Sequence, residues 1–387
     1  MQYSFTFKNS IENYSISNTF NPNIGAEEKK LFCSHLEEHR EIEFYFDSLS
    51  GLVAKNTEDK KNNPLGEFIA LTETNLVSYF DKYGFLFDWK SKELYDSISI
   101  DDVFSLQNKF KLLINLFNNI HGQTDSNKLL ATFFNYISQS DRTLSLGETE
   151  LKIKSVYPYR NLRNSLPAKN IDNLCYQVKN ANGTISTFLN IQNYYIESGS
   201  TSDLNIIDYE DFIDNQNYPQ SFRDTIYLYV NKNSNFTNLT IRIIDFLYLF
   251  YKYVGVFDFS EYDSNIPNIS LEPFKHHPEL IEFLIDVSKE ILAYEINNGL
   301  SDVTPKLNSK TFQPDWSLPS LLSAFYFSLF YSNLELSMYK ICENIGCNTP
   351  FYIQRSNSLK KYCCESCKNA ASQRRYRRKY KKITDES

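Results

Sequence analysis

At 387 residues, with 42% hydrophobic and 16% aromatic side chains, the chain is long enough for two or three domains with sizeable cores. That composition excludes a disordered or fibrous protein. The net charge of −7 is unevenly spread: residues 355–382 hold eleven Lys/Arg against the single acid Glu365, a local +10. With Asp385 and Glu386 counted, residues 1–354 are left at −15. A basic end on an acidic body points to an appendage for a polyanion.

The start, "MQYSFTFKNSIENYSIS", has no basic n-region and no apolar h-region. Of the two most apolar runs, 241–259 is broken by Arg242, Asp245 and Lys252, and 318–331 is only 14 residues long. Both suit buried helices better than membrane spans. The expectation is a soluble, cytoplasmic protein with no membrane partner, whose thiols stay reduced. In that setting clustered cysteines bind metal more often than they pair.

In chain order, Tyr3, Phe5 and Phe7 alternate as a strand does. A helix is expected over 26–46, opened by Glu27 and Glu28, with further helices over 65–83, 101–120 and 128–138. The middle reads as strands: "LKIKSVYPY", then "CYQVKNANGTISTFLNIQ" with a hairpin turn at Asn182-Gly183, then "DTIYLYV". Helices return over 239–254 and 279–298, the second closed by Gly299 as a C-cap. A polar stretch over 301–315 reads as a linker. An apolar helix from Pro319 to about 339 then feeds into Cys342.

The expected architecture is α+β. A mainly helical body over 1–300 has a β-rich central section and a subdomain boundary near 145. A linker and apolar helix follow over 301–340, and a small finger ending in a basic helix over 341–383. Because the apolar elements precede residue 340, the body is expected to fold without the finger.

Five of the seven cysteines lie within 26 residues. Cys342, Cys347, Cys363 and Cys367 form a C-x4-C…x15…C-x3-C arrangement, and two such pairs supply the four tetrahedral sulfurs of a structural zinc site. One Zn²⁺ per chain is expected, and so polar a segment needs that metal to fold. Four thiolates around Zn²⁺ leave about −2, to be offset by Lys360, Lys361 and Lys368. Cys364 with Cys367 makes the commoner C-x2-C; Cys363 is preferred because it follows the aromatic Tyr362.

From Glu365 to about 382 there is no Gly or Pro, and Ala, Arg, Lys and Gln favour helix. Arg374, Arg375, Arg377, Arg378 and Lys381 cover most of its circumference, a charge density best relieved by phosphates. With Lys360 and Lys361 in the preceding loop they are the candidate nucleic-acid contacts. The alternative is a solvated tail, or a helix docked on the acidic body.

The segment resembles the CGNR-type zinc finger, a short C-terminal module of bacterial proteins regarded as transcription regulators. The shared features are Cys342, Cys347, Phe351, the "RSNSLKKYC" loop, Cys363, Cys367, Asn369 and the "RRYRRK" helix. The namesake Cys-Gly-Asn-Arg is here Cys367-Lys368-Asn369-Ala370, and the second pair is one residue shorter. The resemblance covers about 40 residues and implies DNA binding; the body matches no motif.

Elsewhere, "CSHLEEHR" offers Cys33, His35 and His39, with His35 and His39 on one face if 26–46 is helical, a weak second metal candidate, and Glu37, Glu38 and Glu41 as a solvated face. His276 and His277 fall at a helix start, His121 at a helix end, and Cys175 in a strand core. No phosphate loop, dinucleotide fingerprint, nucleophile elbow or H-E-x-x-H motif is present, and nothing marks an enzyme. The expected partner is nucleic acid, duplex DNA before RNA, and the expected role is transcription regulation. A reading of another class is a stress or phage-defence effector whose body is toxic or catalytic and whose finger delivers it to DNA or RNA. A third is an interaction module whose finger docks a protein. A homodimer, and a small-molecule or protein effector on the body, stay open.

Overall fold

The structure, a computed structural model, describes residues 6–22, 25–34, 40–47, 50–55, 63–88, 95–120, 126–157, 175–189, 204–205, 219–232, 236–255, 272–307, 309, 312, 314–332, 337–345, 347 and 350–385. It opens with strands β1 (Thr6–Ile11), β2 (Asn13–Asn21), β3 (Ala26–Ser34), β4 (Arg40–Asp47) and β5 (Gly51–Ala54). Helices α1 (Pro64–Ile69) and α2 (Leu76–Tyr83), strand β6 (Tyr95–Ser99), and helices α3 (Ile100–Ile120) and α4 (Ser126–Ile137) follow. Next come β7 (Arg142–Leu146), β8 (Thr149–Ile153), β9 (Cys175–Lys179), β10 (Ile185–Leu189) and β11 (Leu204–Asn205). Then α5 (Gln220–Val230), α6 (Asn238–Tyr253), α7 (Glu272–Lys275) and α8 (Pro278–Gly299) form a helical run. The chain ends with β12 (Thr304–Leu307), β13 (Pro314–Ser317), α9 (Leu321–Tyr331), β14 (Ser337–Ile341), β15 (Pro350–Gln354) and α10 (Glu365–Asp385). The strands form small antiparallel sheets of two or three, so the fold is α+β as expected. Among the described residues no helix is long and apolar enough to cross a membrane.

Several local expectations change. The helix expected over 26–46 is strands β3 and β4. Buried Leu31 and Cys33 alternate with less buried neighbours, as do Ile42, Phe44 and Phe46. Glu and Lys favour helix by composition, but the two-residue period decides. His35, Glu37, Glu38 and His39 lie outside the described residues, and with strands on both sides the helical face proposed for the two histidines loses its basis. Cys33 is a buried strand residue.

"DTIYLYV" is helix α5, not strand. Residues 221–228 are all buried, and such a run has no periodicity to separate helix from strand. The 65–83 helix is two helices, parted at a capping box between Thr72 and Asn75. The 301–315 stretch contributes to the β12–β13 hairpin, and the apolar helix stops at Tyr331, so a strand carries the chain to Cys342. Helices α3, α4, α6 and α8 and the Asn182-Gly183 turn stand where expected, Gly183 taking the positive φ of +83° that the turn needs. His121 and Tyr3 lie outside the described residues.

Two units divide the chain: Met1–His121, Arg142–Ile153 and Tyr294–Ser387 form the first, Gly122–Asp141 and Lys154–Ala293 the second. In the second, Phe133 meets Phe246 at 5.0 Å, Phe134 meets Phe250 at 5.4 Å, and Phe222 meets Tyr251 at 5.1 Å. Thr237 caps α6 by accepting from the Thr240 N–H.

In the first unit α3 is the central rod. Phe110 contacts Phe325 at 5.6 Å and Tyr326 at 4.9 Å on α9, and Phe68 at 6.1 Å on α1. Lys109 and Glu295 form an ion pair of 2.6 Å with side chains 7% and 5% exposed. At that depth, losing one partner costs far more than the pair contributes. Gly299, expected as a cap beyond α8, is its last helical residue. A Cβ there would lie 2.1 Å from the Tyr326 ring.

The finger's strands are built into this unit. The register of β14 on β15 sets Tyr339 opposite Tyr352 on one face, and Met338 opposite Ile353 with Lys340 opposite Phe351 on the other. On the first face Tyr339 packs on Phe117 of α3 at 6.2 Å and on Tyr352 at 5.3 Å. Asn118 clasps the strand: its Nδ2 donates to Tyr339 O and its Oδ1 accepts from Tyr339 N–H, both at 2.8 Å. The Pro350 carbonyl lies so close to α1 that a Cβ on Gly66 would stand 2.1 Å from its oxygen.

The packing of this unit extends past residue 340, because Tyr352, buried against Tyr339, lies beyond it. Ending the chain at Tyr339 should lower or broaden the thermal transition. A sharp transition at the full-length midpoint would show the hairpin to be dispensable. Gly66→Ala should cost about 1–3 kcal/mol in urea unfolding, because the obstructing atom is backbone and cannot rotate away.

Candidate metal centre

Each cysteine of the quartet is placed by a different element. Cys342 follows β14 directly. Cys347 closes the turn after it, its N–H donating to Asn344 O at 2.9 Å. Cys363 ends the loop that leaves β15 through a short 3-10 turn (Arg355–Asn357), and Cys367 lies in the first turn of α10. The sulfurs of Cys342, Cys347, Cys363 and Cys367 all lie within 4.8 Å of one another. Cys363 Sγ is 3.7 Å from Cys347 Sγ and 3.6 Å from Cys367 Sγ. Sulfurs at about 2.3 Å from a tetrahedral ion stand about 3.8 Å apart, so these separations are those of a four-thiolate centre. The four cysteines lie close enough to hold a metal ion.

Cys364 stands aside. Its Sγ is 3.7 Å from Cys363 Sγ but 2.9 Å from Ser366 Oγ, and it does not join the quartet. Cys363, the residue after Tyr362, is the one that turns inward.

Beneath the sulfurs lies the other face of the hairpin. Cys342, Phe351 and Ile353 form a small buried core, against which Met338, Cys347, Tyr362, Cys363 and Cys367 pack. Around them runs a polar shell. Cys363 N–H donates to Cys342 Sγ at 3.5 Å, and the Asn344 side chain hydrogen-bonds Cys367. Asn344 Oδ1 in turn accepts from Arg374, whose second terminal nitrogen donates to Ile345 O at 3.0 Å. Such outer contacts orient ligands and stabilise their charge. Without a cation, burial pushes the Cys363 thiol well above its ordinary range, helped by hydrogen bonding to Cys367 and the nearby Cys347. Burial likewise pushes Cys367 up to about 12. Cys364 goes the other way. Burial opposes its ionisation, but hydrogen bonds from Ser366 and the Cys367 backbone outweigh that and lower it.

The basic residues have separate fates. Arg374 is tied to the Cys342–Cys347 turn and is not a projecting cation. The Lys360 ammonium sits over the Phe351 ring at 5.3 Å, and Lys361 pairs with Glu343 at 3.2 Å. Arg375 and Arg377 are exposed; the side chains of Arg378 and Lys381 lie outside those described. Sequence reasoning missed Asn344 as the bridge and the role of Arg374. The seven-residue step from Cys367 to Arg374, with Ala371 between, was the available signal, since it sets all three on one helical face. Among the described residues no other group of His, Cys, Asp and Glu is arranged to hold a metal. Compared with protein-family models, curated proteins and solved structures, the chain finds no match.

Changing Cys342, Cys347, Cys363 or Cys367 to Ser should each abolish metal retention through gel filtration, whereas Cys364→Ser should keep it. Elemental analysis of the five variants decides the ligand set. Arg374→Ala should weaken metal affinity about 10–100-fold in chelator competition, as loss of an outer contact does. The pH dependence has a definite sign. Folding raises the Cys363 and Cys367 thiol pKa above the ordinary value of 9.0. The metal-free protein should therefore keep that stability below about pH 9 and lose it as pH climbs towards 12. Metal-bound protein should instead gain affinity with pH, because binding displaces thiol protons. Unfolding of both forms in a Cys364→Ser background, across pH 7–10, tests the two slopes.

Proposed function

We propose that the protein binds nucleic acid, duplex DNA foremost, through a zinc-dependent C-terminal finger, and acts as a cytoplasmic regulator of transcription. Zinc is the metal this donor set favours, because four thiolates at tetrahedral separations suit a soft-tolerant ion without redox chemistry. The observation that carries the reading is the placement of α10. Its first turn carries Cys367, one face is tied down by Arg374, and Lys368, Arg375 and Arg377 are exposed on a helix 21 residues long. An α-helix of that kind fits the major groove, where Arg bridges guanine edges and other cations meet phosphates. The resemblance to the CGNR-type finger points the same way. The acidic body would then assemble the protein or sense an effector.

Purified protein should carry one zinc per chain. Anisotropy with a labelled duplex of about 20 base pairs should show binding whose log K falls with log salt at a slope near −4 to −5. That slope corresponds to about five phosphates met by Arg375, Arg377, Arg378, Lys381 and Lys382. Arg377→Ala should flatten it by about one, while Arg374→Ala should act on metal retention instead. Absence of duplex affinity at low salt would overturn the DNA reading. Binding to RNA alone would move the function to the effector class.

A further inference from the structure

The basic helix and the loop before it enclose a cleft of about 430 Å³, whose lining includes Lys360, Lys361, Lys368, Arg375 and Tyr362. One acid, Glu365, also borders it, so the cleft carries four cations against one carboxylate. Its size falls within the range of ligand clefts and exceeds what a bare ion needs. Lys368 and Arg375 are seven residues apart on α10, which sets them on one face about 10.5 Å apart along the axis. Among the described residues neither has a carboxylate within ion-pair distance. Lys361 has only Glu343, at 3.2 Å with both side chains about half exposed, a pair weak enough to be exchanged for a stronger anion. Lys360 is steadied over Phe351. The adjoining face of the helix, one residue round, is taken up by Cys367 and Arg374, and this cleft gives α10 cations, space and an aromatic wall together.

We propose that the cleft is a phosphate-binding site, taking a phosphodiester of the nucleic-acid strand that lies along α10. Lys368 and Arg375 grip from the helix, Lys361 and Lys360 from the loop, and Tyr362 lies against the sugar or base. This rests on the nucleic-acid reading above and adds to it the residue Lys368 and the joining of loop and helix cations into one site. The strand is held between loop and helix instead of by the helix alone. It also sets an order of importance: cations facing the cleft outrank cations elsewhere on the helix.

The test uses full-length, metal-loaded protein and three forms: wild type, Lys368→Gln/Arg375→Gln, and Arg377→Gln. Zinc content and thermal unfolding should be unchanged in all three, since the substituted side chains are exposed. With the labelled duplex, the cleft variant should lose at least tenfold in affinity, and its salt slope should flatten by about two, against at most about one for Arg377→Gln. Equal losses in affinity per cation removed, with zinc retained, would overturn the cleft. Lysine acetylation footprinting of the wild type gives an answer without substitution. Lys360, Lys361 and Lys368 should be protected by duplex, and reaction of Lys368 at its free rate would overturn the proposal. Inorganic pyrophosphate, titrated by calorimetry, separates the two readings. If wild type binds pyrophosphate but no nucleic acid, and the cleft variant binds neither, the cleft stands as a site for a free phosphorylated ligand and the regulator reading falls. If wild type binds duplex but the cleft variant matches it, the regulator reading stands and the cleft falls.

Discussion

The structure of the finger depends on one hairpin having two buried faces. Strands β14 and β15 send Tyr339 and Tyr352 into the body, and Phe351, Ile353 and Met338 under the cysteines. Strand β15, with Phe351, Tyr352 and Ile353 all buried, has no freedom to slip, because moving it by one residue would exchange its two faces. Burying each large side chain contributes roughly 1.5–3 kcal/mol, so the register is held from both directions. Asn118 adds a backbone-like pair of hydrogen bonds, and the Gly66–Pro350 approach leaves no slack at the far strand. The sulfurs are positioned because the sheet beneath them is.

From that base the four-cysteine cluster leads into the rest of the C-terminus. The polar shell runs from Cys367 through Asn344 to Arg374, so the helix is attached to the first cysteine pair through a side chain. One arginine of the basic run is thereby converted from a surface charge into part of the scaffold. Of the other described cations on the helix, Lys368 and Arg375 border the loop and Arg377 is exposed. A count of +10 over residues 355–382 describes the composition of the segment but not this division of labour.

What could be read from the sequence follows a physical pattern. Cysteine spacing carries its own constraint, because four thiols must converge, and the quartet forms with Cys363 in place of Cys364. Long amphipathic helices such as α3 and the Asn-Gly turn are local and were legible. The β3 and β4 strands were hidden by Glu and Lys, which favour helix unless cross-strand packing overrules them. Helix α5 was hidden by being buried on every side. The docking of β14 could not be read at all, because Asn118 and Tyr339 are 221 residues apart and neither shows a signal alone.

The length of α10 has a mechanical consequence. Its 21 residues span about 31 Å, and Cys367 and Arg374 hold it near one end. A rigid rod held at its foot is a lever: a tilt of about 5° at the metal centre displaces the far turn by about 3 Å, close to the width of one hydrogen bond. Because the foot stands on a hairpin clamped to α3, a small rotation of that hairpin reaches the tip enlarged. A displacement at the foot is thus larger at the helix tip than beside the sulfurs.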